Sequence, residues 1–150
     1  MVGCGMIANF HALAVGDIRG AKITACYDTF PAAAQRFAAA NPGVTAYERL
    51  DEMLDDQSVD VVTICTPSGA HRDPAVAAAN AGKHVVVEKP MAMNVAQCDE
   101  MIAACERAGV KLMYAEELCF TPKYVRLKQL IEEGGLGDVF LIKQSEKHDG

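Results

Sequence analysis

Short apolar runs return at near-regular intervals along this chain, and each is followed by a stretch with helical spacing. That alternation restricts the fold more than any single residue does. Residues 22–27 (KITACY), 44–47 (VTAY), 60–65 (DVVTIC), 83–87 (KHVVV) and 111–115 (KLMYA) are short, rich in branched and aromatic side chains, and read as strands. Residues 6–15, 31–40, 49–55 and 71–81 read as the intervening helices, with Pro31 acceptable in a first turn and Gly82 as a stop. Asn94 is placed to cap a further helix, with Gln97 completing a capping box. Val95, Cys98, Met101, Ile102, Cys105 and Ala108 then form one face that ends at Gly109. Repeated strand–helix units predict a parallel sheet with helices on both faces, and right-handed crossovers make it doubly wound. Residues 2–3 are the stub of a first strand.

The rhythm changes near residue 117. Thr121-Pro122 opens a helix with Tyr124, Leu127, Leu130 and Ile131 on one face, and Gly134-Gly135-Leu136-Gly137 ends it. Residues 139–142 are predicted to begin a new strand. The expected organisation is an α/β domain over 1–118 followed by the start of a truncated α+β domain over 119–150.

Composition narrows the function classes. The chain has 150 residues, is 51% hydrophobic and 23% charged, and so suits a globular domain rather than a disordered one. A net charge of −6, with no run of Lys or Arg, argues against a nucleic-acid partner. No apolar stretch approaches the ~18 residues that would span a membrane. The glycine-rich beginning lacks the basic segment of a secretory leader, so a cytoplasmic protein is expected. Six cysteines show no Cys-x-x-Cys spacing and read as reduced thiols acting as small core residues, with a zinc site or disulfide framework as the alternative.

Gly3, Gly5 and Ala8 form a G-x-G-x-x-A turn. In such a turn the first glycine permits the bend and the second lets a pyrophosphate approach the backbone. The small third residue lets the helix pack on the sheet. Free N–H groups at the start of that helix, those of Met6, Ile7 and Ala8, would hold the phosphates. About twenty positions after Ala8, Asp28 closes a strand, where an acidic residue would take the hydroxyls of an adenine ribose. A carboxylate there repels the 2′-phosphate of NADP, so NAD is the favoured cofactor and NADP the less favoured one. A Rossmann-type domain is the fold these features describe.

Thr66-Pro67-Ser68 follows a central strand, where ligands of open α/β sheets bind, though a plain strand-to-helix turn would look the same. His71 is either a solvent-facing helix-start residue or a cofactor-side one. Lys89, in Glu88-Lys89-Pro90, sits directly after an apolar strand. It could be a surface ion-pair partner of Glu88. At a strand end beside a nicotinamide, a partly dried lysine can instead relay a proton or hold a hydroxyl, and we take Lys89 as the catalytic candidate. His148 and Asp149 invite a catalytic reading, but a polar tail is the simpler account. No metal site is expected.

Taken together these motifs resemble the N-terminal part of the Gfo/Idh/MocA oxidoreductases, a family named for glucose–fructose oxidoreductase, inositol dehydrogenase and a rhizopine-catabolism protein. The resemblance covers the glycine turn, Asp28, Thr66-Pro67 with His71, Ala81-Gly82-Lys83-His84-Val85, and most specifically Glu88-Lys89-Pro90. Phe120, Pro122 and Leu130-Ile131-Glu132-Glu133-Gly134 with Leu136-Gly137 resemble the family's passage into its second domain. It implies a two-domain enzyme, homo-oligomeric at full length, that transfers hydride between NAD(P) and a hydroxyl carbon of a sugar, an inositol or a related metabolite. It also implies that Gly3, Gly5 and Ala8 serve the pyrophosphate and Asp28 the adenine ribose. Thr66, Pro67, Ser68 and His71 would line the cofactor cleft, and Glu88 and Lys89 would stand at the nicotinamide ribose.

Three departures carry expectations of their own. Only Met1 and Val2 precede Gly3, where the family has a full central strand, so both neighbouring strands are expected to show unpaired edges. Cys119 stands where members often carry an arginine. The family's Asp-x-x-x-His element would lie beyond Gly150, and His148 does not match it. The chain is therefore expected to be an inactive part of a dehydrogenase. The alternatives are a non-catalytic NAD-binding sensor and an inactive paralogue that associates with full-length partners.

Overall fold

The computed structural model describes residues 1–145, so the His148–Asp149 pair lies outside the described residues. Two compact units are present, Met1–Ala115 and a second beginning at Glu116.

The first unit holds strands β1 (Ala25–Tyr27), β2 (Thr45–Tyr47), β3 (Val61–Ile64), β4 (His84–Glu88) and β5 (Leu112–Ala115). Its helices are α1 (Met6–Gly16), α2 (Pro31–Ala40), α3 (Leu50–Asp55), α4 (Arg72–Asn80) and α5 (Val95–Ala108). β1 pairs with β2, β3 with β4 and β4 with β5, all in parallel. Val2 joins the two sets by parallel bridges to Tyr27 and Ile64. The order across the sheet is thus β2, β1, Val2, β3, β4, β5.

The expected unpaired edges are corrected at the glycine-turn end of the sheet. The Val2 N–H donates to the Thr63 carbonyl at 2.8 Å and the Val2 carbonyl accepts from the Cys65 N–H at 2.7 Å. On the other side, the Tyr27 N–H reaches the Met1 carbonyl and the Gly3 N–H reaches the Tyr27 carbonyl, each at 2.9 Å. The N-terminal ammonium donates to the Ala25 carbonyl at 2.8 Å. Successive peptide groups of a strand point to opposite neighbours, so even this stub bonds in both directions.

Alternation along the strands sorts the core. Val62, Ile64, Val85 and Val87 are buried with Ala75, Ala78 and Ala79 of α4 and Met101, Ala104 and Cys105 of α5. The alanines of α4 let that helix lie close to the sheet. On the opposite face, Cys26 packs with Ala8 of α1 and with Ala34 and Phe37 of α2. Asn94 caps α5 by accepting the Gln97 N–H at 3.0 Å, and Gly109 ends that helix at φ +67°. The Gln97 side chain accepts from the Met93 N–H, one residue earlier than the capping box requires.

Most boundaries agree with the sequence reading to within a residue or two. One difference is that residues 22–24 do not extend β1. The loop expected over residues 66–69 also runs into a short 3-10 turn, Ser68–Ala70. All six cysteines are free. Cys26 and Cys105 are buried, as core thiols would be, whereas Cys119 is exposed. No group that could hold a metal ion occurs among the described residues, and no described helix is long and apolar enough to cross a membrane.

In the second unit, a 3-10 turn (Glu117–Phe120) leads into α6 (Pro122–Glu132). Residues 139–142 form no strand, which corrects the expectation. Their apolar side chains are open to solvent, Phe140 at 97% exposure, and no partner strand lies among the described residues. Without such a ladder the backbone has no reason to stay extended.

Candidate functional site at the ends of the strands

The glycine turn is defined by what two side chains would strike. Gly3 has φ +83°, and a Cβ there would stand 2.7 Å from the Cys65 carbonyl carbon and the Thr66 nitrogen. Its small size therefore serves close packing of the turn against the end of β3 as well as the bend itself. Gly5, by contrast, has φ −81°, and a Cβ there would meet nothing within 4 Å. Gly5 borders open space at the start of α1, where no side chain caps the helix and no acidic residue occupies the first turn. Met6 is 72% exposed and Ile7 half-buried, so what they offer the turn is their backbone N–H groups. Ala8 is fully buried and seats the helix on the sheet.

Asp28 lies at the end of β1, against this turn. Its Oδ2 accepts the Cys4 N–H at 2.8 Å and its Oδ1 accepts the Phe30 N–H at 2.8 Å. Two backbone donors thus fix the carboxylate beside the glycines. Each oxygen keeps acceptor capacity for a further hydroxyl.

At the end of β3, the Thr66 hydroxyl donates to the Ala70 carbonyl at 2.9 Å, and the Ala70 N–H returns to the Pro67 carbonyl at 2.7 Å. Pro67 is exposed and Ser68 half-buried on this compact turn. The His71 ring is only 1% exposed, which excludes the solvent-facing reading. Its Nε2 lies 2.8 Å from the Thr66 carbonyl, and its Nδ1 lies 2.9 Å from that of Pro90 and 3.3 Å from that of Met91. With both nitrogens turned to backbone carbonyls, His71 sits between the loops after β3 and β4 rather than presenting its ring to the cleft.

The end of β4 is built from side chains. Val85 and Val87 face α4 and α5, so alternation turns Val86 and Glu88 to the other face. There Glu88 Oε1 meets His11 Nε2 of α1 at 2.9 Å, and Glu88 Oε2 accepts the Lys89 N–H at 2.9 Å. The Lys89–Pro90 peptide bond is cis. Lys89 is exposed, and its ammonium has no hydrogen-bond or ion-pair partner among the described residues. The surface pairing of Lys89 with Glu88 is thus replaced by a His11–Glu88 pair. Nearby, burial and the Glu88 charge push the Cys65 thiol up to about 12.

The structure brings Gly3, Gly5, Met6, Ile7, Ala8 and Asp28 together in one cradle. It ties Thr66, Glu88 and Lys89 to neighbouring strand ends. Sequence reasoning missed His11, although a signal was present: His11 follows Ala8 by one helical turn, so it lies on the packed face of a helix whose other polar side chain, Asn9, is exposed. It also missed Lys83, which is 7% exposed and donates from Nζ to the Asp56 carbonyl at 2.9 Å.

A doubly wound parallel sheet whose first glycine turn faces an anchored aspartate defines the dinucleotide-binding class of domain. Over residues 1–116 the chain matches the Gfo/Idh/MocA oxidoreductase family with its NAD-binding Rossmann fold, and it belongs to that family. It is 34% identical over 135 residues to scyllo-inositol 2-dehydrogenase (NADP(+)) IolU of Bacillus subtilis (strain 168), a match covering 90% of this chain and 41% of that protein. It is 34% identical over 143 residues to D-apiose dehydrogenase of Paraburkholderia graminis, covering 93% of this chain and 37% of that one. Among solved structures it resembles the WlbA dehydrogenase from Bordetella pertussis in complex with NADH and UDP-GlcNAcA. There the TM-score is 0.84 at 35% identity, over 91% of this chain and 39% of that one. The chain therefore spans about two fifths of the length of the curated relatives it matches.

Proposed function

We propose that this chain is the cofactor-binding part of an NAD-dependent dehydrogenase acting on a hydroxyl carbon of a sugar, an inositol or a related metabolite. The observation that carries the reading is Asp28, held by the Cys4 and Phe30 N–H groups beside the open position at Gly5. A pyrophosphate fits the Gly5 side of the turn, where the Met6, Ile7 and Ala8 N–H groups supply donors at a helix start. Asp28 would then accept both hydroxyls of the adenine ribose.

The bound cofactor would accept or donate the hydride. The chain's own residues orient it and handle the proton. Thr66, Pro67 and Ser68 would border the cleft, with His71 holding their loop. Glu88 would fix the strand end at the nicotinamide ribose. Lys89, exposed and without a hydrogen-bond or ion-pair partner for its ammonium among the described residues, would hold the substrate hydroxyl and relay its proton. The first unit alone would bind cofactor without turnover. The complete protein would be a homo-oligomer working in the cytoplasm.

The relatives differ in cofactor, one bearing NADP(+) in its name and another crystallised with NADH. Asp28 favours NAD for this chain because a carboxylate fixed by two N–H groups cannot swing away from a 2′-phosphate. Titrating NADH and NADPH against the purified chain by dinucleotide fluorescence tests the proposal. NADH is expected to bind at least about tenfold more tightly, a difference of ~1.4 kcal/mol. Equal affinities would overturn the preference for NAD, and failure of both to bind would overturn the cofactor role.

A further inference from the structure

Two histidines that face the ends of the strands are not needed to hold the adenine half of a dinucleotide. Both converge on the backbone that carries Lys89. His71 fixes it from the downstream side, through the Pro90 carbonyl at 2.9 Å. On the upstream side the link runs through Glu88. One carboxylate oxygen meets His11 Nε2 and the other receives the Lys89 N–H, each at 2.9 Å. The side chains of His11 and Glu88 are only 23% and 15% exposed, so the contact is shielded from competing water. His11 lies midway along α1, the helix whose first turn forms the pyrophosphate cradle. The contact bridges 77 residues of sequence and joins the glycine-turn helix to the strand end that bears the lysine.

We infer that His11 is a positioning residue: it holds the Glu88 carboxylate so that the Lys89 backbone keeps a set place relative to the pyrophosphate turn. The inference rests on the cofactor reading above. Without His11, Glu88 loses the only side-chain contact described for its Oε1 and can rotate. The Lys89 N–H then loses its fixed acceptor. The adenine half of the site, made by Gly3, Gly5 and Asp28, does not depend on that contact. Loss of His11 should therefore separate the two halves of the dinucleotide.

The test compares NADH with ADP-ribose, which lacks the nicotinamide, on the full chain. His11→Leu is expected to weaken NADH binding about fivefold or more while ADP-ribose stays within about twofold. His11→Gln, whose amide N–H can reach Glu88 as Nε2 does, should bring NADH binding back to within about twofold of the original. In a Glu88→Ala background, replacing His11 should add nothing further, because the path to Lys89 is already cut. Equal losses for both ligands, or additive losses in the double variant, would make His11 an ordinary packing residue and overturn the inference. So would unchanged NADH binding in His11→Leu. If His11→Leu fails to fold, the comparison of His11→Gln with Glu88→Ala decides, since the inference requires the first to be near normal and the second to lose NADH selectively. An original chain that binds neither ligand overturns the cofactor reading itself, an outcome distinct from binding that His11 does not affect.

Discussion

The glycine turn and the end of β4 lie on the same side of one sheet but are made in opposite ways. At the turn, side chains are absent where they would obstruct, and backbone is what borders the open space. At the end of β4, side chains bond to one another and to backbone until one, Lys89, is left exposed on a pinned main chain. The first arrangement is unforgiving of added atoms. The second is unforgiving of lost hydrogen bonds, except at Lys89 itself.

The largest effect is expected where the turn has no room. Gly3→Ala would place a Cβ 2.7 Å from backbone atoms of Cys65 and Thr66, in a conformation with φ +83°. Neither the clash nor the dihedral can be relieved by a rotamer change, so stability should fall by about 3 kcal/mol in urea unfolding. A loss under about 1 kcal/mol would show that the loop after β3 yields easily, and the turn would not be rigid. Gly5→Ala is the contrasting case. The added methyl meets nothing within 4 Å, so stability should drop by less than about 1 kcal/mol, the cost of an alanine at a helix N-cap. NADH affinity should nevertheless fall by at least about tenfold, since the methyl occupies the approach of the pyrophosphate. Unchanged NADH binding by Gly5→Ala would move the phosphate site elsewhere.

This contrast also explains what the sequence could disclose. The placement of the G-x-G-x-x-A turn and of Asp28 was legible because it rests on backbone conformation and local spacing. Helix ends were legible for the same reason: α2 begins at Pro31, Asn94 caps α5 and Gly109 ends it. Long-range pairings were not. The distance from His11 to Glu88 depends on which sheet face α1 covers, and no local pattern states that. The burial of His71 depends on a loop nineteen residues away in the chain. Residues 139–142 show the opposite failure. Their β-like composition is plain, but a strand needs a neighbour to bond, and composition does not supply one.

Cys65 lies where the two arrangements meet, its backbone against Gly3 and its thiol near Glu88. Burial first, and the Glu88 charge second, raise its pKa from 9.0 to about 12. The folded state therefore holds this proton more tightly than the unfolded state does. That contribution to stability is complete below the unfolded value and is lost as pH rises from about 9 towards 12. By pH 10 the loss should be about 1.4 kcal/mol relative to neutral pH, and Cys65→Ala should remove that part of the alkaline slope. Identical slopes for the two proteins between neutral pH and pH 10 would mean that Cys65 ionises as freely in the fold as outside it, contrary to its desolvated position.

Lys89 should give the smallest effect on the fold, and this is what separates it from its neighbours. Its N–H is bonded to Glu88 and the carbonyl of the next residue, Pro90, meets His71, but those contacts belong to the backbone and survive truncation of the side chain. The ammonium has no partner among the described residues. Lys89→Ala should therefore change unfolding stability by no more than about 0.5 kcal/mol, as for an ordinary surface substitution. Glu88→Gln, one residue earlier, weakens the pairing with His11 and should cost more. A loss above about 1 kcal/mol for Lys89→Ala would give its amine a structural partner and end the contrast. A neutral result is what a residue kept for substrate would require: a side chain carried on a pinned main chain and not used by the fold itself.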